Sequence, residues 1–307
     1  MSNWKRRLQR MRILIIPGIL VPLAYWWLLI ESHTPSGRFP VELAELRQLA
    51  DALPGDKPKA IGVERVATLQ FPAVAVYAGD GWVPADLPVY SYQLVFGSDT
   101  AIVDTALSHE AAEDMRSNVP FDADAFQRVE NALEHARFAV VTHEHADHLG
   151  GFAAHPKAEQ LARVMHLTTE QLSDPSKRKP LVLTEATLRK LQPLSYERMH
   201  AMAPGVVLVK ARGHTPGSQW VYVRRADGEE FLFLGDVAWH HENWEQVHER
   251  ARLVTLIMGE DREAVLEQLA AVRALKAAEP KLHVIPGHDG TVMAELLAKG
   301  LLTPRFQ

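Results

Sequence analysis

His143-Glu144-His145-Ala146-Asp147-His148 sets four metal-ligand side chains within six residues, directly behind the apolar run Phe138-Ala139-Val140-Val141. No other stretch constrains the fold as strongly. The apolar run reads as a buried strand, and Leu149-Gly150-Gly151 follows as a loop or helix start. Ligands delivered from a strand end stand on a rigid support, which a metal site requires. Side chains alternate along an extended segment, so His143 and His145 fall on one side. A turn after His145 would carry Asp147 and His148 to a neighbouring point, which suggests two metals about 3.5–4 Å apart.

Three further apolar runs end in the same way. Gly213-His214-Thr215-Pro216-Gly217-Ser218 follows Val206-Val207-Leu208-Val209, and Phe231-Leu232-Phe233-Leu234 ends in Gly235-Asp236. His283-Val284-Ile285 leads through Pro286-Gly287 into His288-Asp289. Taken singly, each is an ordinary strand with a polar cap. As a set they are what several strands delivering side chains to one rim would look like.

On these residues the chain resembles the metallo-β-lactamase-fold hydrolases, from about Val66 to the C-terminus. The Asp that closes Ala101-Ile102-Val103-Asp104 matches that family's first motif. The HxHxDH motif is complete, and His214, Asp236 and His288 follow in order. The resemblance implies an α/β (α+β) four-layer αββα sandwich with a dinuclear centre at one edge of its two sheets. It implies that His143, His145 and His214 hold one metal, that Asp147, His148 and His288 hold the other, and that Asp236 bridges both. Asp104 would orient a ligand or its loop.

His145 speaks against the redox di-iron branch, where a Glu stands, and Asp236 speaks against a true β-lactamase. The stretch from Gly235 to Trp244 and the ending Val284-Ile285-Pro286-Gly287-His288-Asp289 are similar to N-acyl-homoserine-lactone lactonases. One position departs from them. Those enzymes carry a Tyr three residues after the bridging Asp; here it is Trp239, whose indole N–H donates but is no phenolic acid. Trp239 and His240 are candidate pocket residues, although His240-His241 also reads as an exposed loop pair. Trp239 and Trp244 either wall an apolar pocket or cover the core.

Imidazoles and carboxylates suit two divalent cations, zinc foremost, with manganese, iron or cobalt as alternatives. Two cations sharing a water would hold hydroxide near neutral pH, placed to attack an ester or lactone carbonyl. Asp147 and Asp236 are the expected catalytic carboxylates, Asp147 passing a proton to the leaving group. Nucleophilic cysteine chemistry is excluded because the chain has no cysteine. The expected function is a metal-dependent ester or lactone hydrolase acting on a small molecule. Phosphodiester or thioester hydrolysis and a non-catalytic metal-binding module are the alternatives. Nucleic acid is not an expected partner, since no basic patch is interleaved with aromatics and the body is net acidic without its leader.

That leader, residues 1–12, holds Lys5, Arg6, Arg7, Arg10 and Arg12 and no acid. Residues 13–30 are uncharged and would be about 27 Å long as a helix, near the minimum for a membrane span. Tyr25, Trp26 and Trp27 stand near its far end, where aromatic rings favour the interface. The reading is a single-pass transmembrane signal-anchor with its N-terminus cytoplasmic and its body extracytoplasmic (periplasmic in a Gram-negative cell). A cleaved signal peptide and a soluble exported enzyme is the rival. Residues 31–40 read as a linker, and 41–307 as one catalytic domain.

Within that domain, helices are predicted over 41–53, 121–136, 161–172 and 264–278, and a helical insert over 180–204. Short strands are predicted between 66 and 95, and a hairpin at Asp227-Gly228.

Overall fold

The computed structural model describes residues 18–115 and 119–307. The basic leader and residues 13–17 of the expected anchor lie outside the described residues. Among the described residues no helix is long and apolar enough to cross a membrane. Residues 18–29 form a helix, α1, whose residues 18–27 are all exposed.

Two five-stranded sheets make the body. β1 (Ala60–Pro72), β2 (Pro84–Phe96), β3 (Asp99–Thr105), β4 (Phe138–Val140) and β10 (Thr303–Pro304) form the first, in the order β10-β1-β2-β3-β4. β5 (Met199–Ala203), β6 (Val206–Lys210), β7 (Gln219–Arg224), β8 (Glu230–Gly235) and β9 (His283–Pro286) form the second, in chain order. Their facing sides share one core, in which Leu94 and Val103 meet Leu208, Val221 and Phe233. Tyr92 and Phe233 touch edge to face at 4.7 Å across it. Each such large side chain contributes about 2–3 kcal/mol by burial.

Helices cover both outer faces. α4 (Ala123–His135) and α5 (Ala146–Ala153) lay Val129, Leu133, Leu149 and Phe152 on the first sheet. α2 (Leu43–Ala50) and α11 (Arg262–Ala278) lay Leu46, Val265, Leu269 and Val272 on the second. The result is a four-layer αββα sandwich. α11 is amphipathic over its whole length and is capped by Asp261, whose carboxylate accepts from Ala264 N. Asp261→Ala would cost about 1 kcal/mol. The remaining α-helices among the described residues are α3 (His109–Met115), α6 (Ala158–Leu161), α7 (Thr169–Ser173), α8 (Glu185–Lys190), α9 (His241–Gln246), α10 (Arg252–Met258) and α12 (Gly290–Ala298).

Some expected elements differ. The stretch between 66 and 95 holds two long strands, β1 and β2, paired from Ala60↔Val95 to Pro72↔Pro84. The helix expected over 161–172 stops at Leu161. The chain then runs extended beside β4, with Ala139 N donating to Val164 O at 2.7 Å and His166 N to Ala139 O at 2.8 Å. Thr168 restarts a helix through a capping box with Gln171. The insert over 180–204 is helical only in α8, and its end becomes the edge strand β5 paired with β6. In both places an available sheet edge overrides local helix propensity. The Asp227-Gly228 hairpin forms as expected, with Gly228 at φ 90° and Arg224 opposite Glu230.

The strand directions explain where the polar residues collect. β3 and β4 are parallel, as are β8 and β9. β6 runs antiparallel to β7 and β7 to β8, so β6 points the same way as β8. The C-terminal ends of β3, β4, β6, β8 and β9 therefore leave the sandwich along one edge.

Candidate metal centre

The chain leaving β4 passes through His143 and His145 and turns into α5, with His145 as its N-cap. Asp147 and His148 thus sit in the first turn of a helix. Its close seat on β3 depends on Gly151: a Cβ there would collide with Thr105 O. His214 comes from the β6–β7 loop, Asp236 from the end of β8 and His288 from the end of β9.

These side chains gather into two four-residue groups that share one carboxylate. In the first, His145 Nδ1 lies 3.1 Å from His143 Nε2 and 3.0 Å from His214 Nε2. Asp236 Oδ2 lies 3.5 Å from His214 Nε2 and 3.8 Å from His143 Nε2. In the second, His148 Nε2 and His288 Nε2 lie 3.2 and 3.1 Å from Asp236 Oδ1. Asp147 Oδ2 lies 3.6 and 3.4 Å from the same two nitrogens. Asp236 turns one oxygen to each group. A Cβ at Gly287 would collide with Oδ1, so that glycine makes room for the shared carboxylate.

The rings are held from behind. His148 Nδ1 meets Asp104 Oδ2 at 2.9 Å, and Asp104 also accepts from Thr142 N at 2.6 Å. Asp104 sits at φ 58°, a left-handed conformation that a non-glycine residue rarely adopts. His214 Nδ1 pairs with the fully buried Glu260, which also binds Arg250. His288 Nδ1 lies 3.0 Å from Pro88 O. Each of these contacts leaves the Nε2 of that ring directed at the groups.

Electrostatics divide the two groups. Burial, then the neighbouring His148, holds His143 far below the ordinary histidine pKa, and burial with His214 holds His145 at about 3. Those rings are neutral and present lone pairs. Burial also opposes charge on His288, but Asp236 and Asp147 outweigh it and raise the pKa to about 10. His148 is raised likewise: Asp104, Asp147 and Asp236 overcome its burial. Burial would raise Asp147, yet His148 and His288 hold it at about 2. The carboxylates of the second group therefore favour positive charge at its centre.

The donor set fits divalent cations. Three imidazole nitrogens and a carboxylate converge in one group, and two carboxylates with two imidazoles in the other. His148 Nε2 and Asp236 Oδ1 are buried without hydrogen-bond geometry to any partner. Buried polar atoms left so are costly unless something binds them.

A cavity of about 370 Å³ opens over the groups. His145, Asp147, His288 and Trp239 form its floor, and Leu69, Phe71, Leu87, Val254, Ile257 and Met258 its walls. Trp239 Nε1 donates to Asp236 Oδ2 at 2.7 Å, and Arg250 lies 4.4 Å over the indole. His240 instead lines a neighbouring depression with Tyr77 and Glu242. The pair His240-His241 is not an exposed loop: it opens α9, and His241 Nδ1 lies 2.7 Å from Asp289 Oδ2. Trp244 packs in the core of the second sheet. Glu260, Arg250 and the α10 wall escaped the sequence reading. Glu260 sits in a glycine turn ahead of α11, where an acid reads as a cap.

The sequence profile of the metallo-beta-lactamase superfamily matches residues 84–288. An N-acyl homoserine lactonase from Bacillus sp is 25% identical over 219 residues, covering 66% of this chain and 82% of that one. The fold is similar to an N-acyl homoserine lactone hydrolase solved with the product N-hexanoyl-L-homoserine at its catalytic metal centre. That match has a TM-score of 0.62 at 19% identity, over 78% of this chain and 96% of that one. A dizinc quorum-quenching lactonase gives 0.51 at 12% identity, over 77% and 91%.

Proposed function

The chain belongs to the metallo-beta-lactamase superfamily and is a metal-dependent hydrolase, and from that premise we propose that it is a membrane-anchored, two-zinc enzyme that cleaves an ester or lactone. The observation that carries the reading is a pair of four-residue groups joined by Asp236 at the floor of an apolar cavity. Likeness to the lactonases supports a lactone or ester carbonyl as the target.

His143, His145 and His214 would hold one metal and Asp147, His148 and His288 the other, with Asp236 shared. When bound, the metals supply Lewis-acid polarisation of the carbonyl and a nucleophile at neutral pH. The chain's own residues do the rest. Asp104 and Glu260 hold His148 and His214 by Nδ1, which fixes the direction of Nε2. Asp147 Oδ2 stands at the cavity floor, where a carboxylate carries a proton toward the leaving oxygen. Trp239 steadies Asp236 through its indole N–H and lines the cavity floor where the lactonases carry a phenol. The apolar walls seat an acyl group and exclude water from the carbonyl. Residues 13–30 would anchor the chain, with the basic leader cytoplasmic and the body outside.

Metal content of the purified full chain, measured beside a panel of lactones, aryl esters, thioesters and phosphodiesters, tests this reading. Two metals per chain and a preference for lactones or esters are expected. A metal-loaded protein that prefers phosphodiesters or thioesters would move the substrate class. Failure to retain any divalent metal after reconstitution would sink the proposal.

A further inference from the structure

The most exposed large apolar side chains of the body lie near one another. Leu256 and Ile257 of α10, Trp82 and Val83 between β1 and β2, and Val182 are 59–78% exposed. All of them flank the end of α1 or the cavity. Val83 O accepts from Ala73 N at 2.8 Å, and the adjacent Val74 packs with Leu29 of α1 and Ala251. Arg252, the first residue of α10, lies 4.6 Å over the Trp27 ring. Ile257 lines the cavity together with Lys179, three residues before Val182.

α1 itself is apolar on every side and exposed through residue 27, a state that calls for apolar surroundings. Its end is clamped to the body rather than loosely tethered. Arg252 and Arg262 both bind the Glu31 carboxylate, and Arg262 also donates to Glu31 O at 2.6 Å. Ser32 Oγ donates to Glu249 at 2.7 Å, and Gly79 N to Leu29 O at 2.7 Å. These contacts tie α10 to the end of α1.

We infer that this apolar ring is a bilayer-docking surface: α10, Trp82-Val83 and Val182 rest in the interfacial layer of a phospholipid membrane, and the cavity opens toward lipid. The inference rests on the anchor reading above. With α1 in the bilayer, the clamp sets α10 and the cavity opening at the membrane surface. Exposed apolar area of this kind, next to interfacial tryptophans, is what partition into that layer requires. The substrates admitted are amphipathic esters or lactones already dissolved in the membrane, entering acyl end first.

The chain has no cysteine, so Val83→Cys, Leu256→Cys and, as control, Leu53→Cys just past α2 each give the full chain a single label site. A polarity-sensitive probe on each is measured in phosphatidylcholine–phosphatidylglycerol vesicles with nitroxide-bearing lipid. Quenching by about half or more at 83 and 256 and none at 53 is expected. No quenching at 83 and 256, in chain that co-floats with the vesicles, overturns the docking surface and leaves the anchor standing. Chain that does not co-float overturns both. A concentration-dependent probe shift in lipid-free detergent marks a face between two copies and overturns the lipid assignment.

A second arm uses Val83→Glu with Leu256→Glu; neither residue lines the cavity. It should lower kcat/KM about tenfold for a decanoyl lactone presented in vesicles, the size expected for losing apolar contact at the interface. Hydrolysis of a soluble aryl acetate in detergent should stay unchanged. An equal fall on both substrates overturns the assignment.

Discussion

The floor and the rim of the cavity are built by opposite rules. The floor is polar and buried, and most of its metal-facing rings have a second partner: Asp104 behind His148, Glu260 behind His214, Pro88 O behind His288. The rim is apolar and open, held in place by α10 and its contacts with α1. A floor of this type fixes what is done to a carbonyl. On the proposed reading, the rim selects which carbonyl arrives. Chemistry and selectivity are thus carried by separate parts of the chain, and perturbing each should leave different kinetic marks.

Removing the shared carboxylate should give the largest effect. Asp236→Ala is expected to lower turnover on the order of 10³-fold or more and to reduce bound metal, read by elemental analysis beside initial rates. If both metals and activity survive, the two groups do not form one unit. Next come the supporting contacts. Asp104→Asn and Glu260→Gln should each weaken metal binding about 10–100-fold, measured by competition with a chelating dye. A loss of stability with metal affinity untouched would make Glu260 a core salt bridge and nothing more.

Changes at the rim should behave otherwise. Met258→Ala is expected to raise KM for a decanoyl lactone about tenfold and to leave kcat within twofold, because only apolar contact is lost. An equal fall in kcat for short and long substrates would erase the division between floor and rim. The smallest effect concerns His241, beside the floor. Burial opposes its charge but Asp289 raises its pKa above the unfolded value. Its contribution is therefore complete below pH about 6.5 and fades as pH rises through the raised value. The half-exposed site limits it to about 1 kcal/mol or less. Melting curves from pH 5 to 9 should show that slope reduced in His241→Asn; an unchanged slope would remove the ion pair from consideration.

The floor was legible in the sequence because each of its members follows an apolar run and a turn, and strand ends write that pattern locally. What supports the floor was not. Glu260 lies 46 residues from the His214 it holds, and no periodicity links the two. The rim was hidden for the opposite reason. Leu253, Leu256 and Ile257 look in sequence like the buried face of a short helix, and only the tertiary arrangement leaves them exposed. The misread helices between 161 and 204 have the same origin: a vacant sheet edge beside β4 or β6 is a partner that a local pattern cannot see.

The edge location of the floor also bears on how the protein acquires activity. Its members come from β3, β4 and α5 on one sheet and from the ends of β6, β8 and β9 on the other. A chain that has formed either sheet alone holds only part of the site: four ligands from the first, His143, His145, Asp147 and His148, or three from the second, His214, Asp236 and His288. Contacts between residues as distant as Asp147 and His288 close slowly, because the intervening chain must be ordered first. During refolding, recovery of hydrolysis reports docking of the two halves, and secondary structure returns ahead of it.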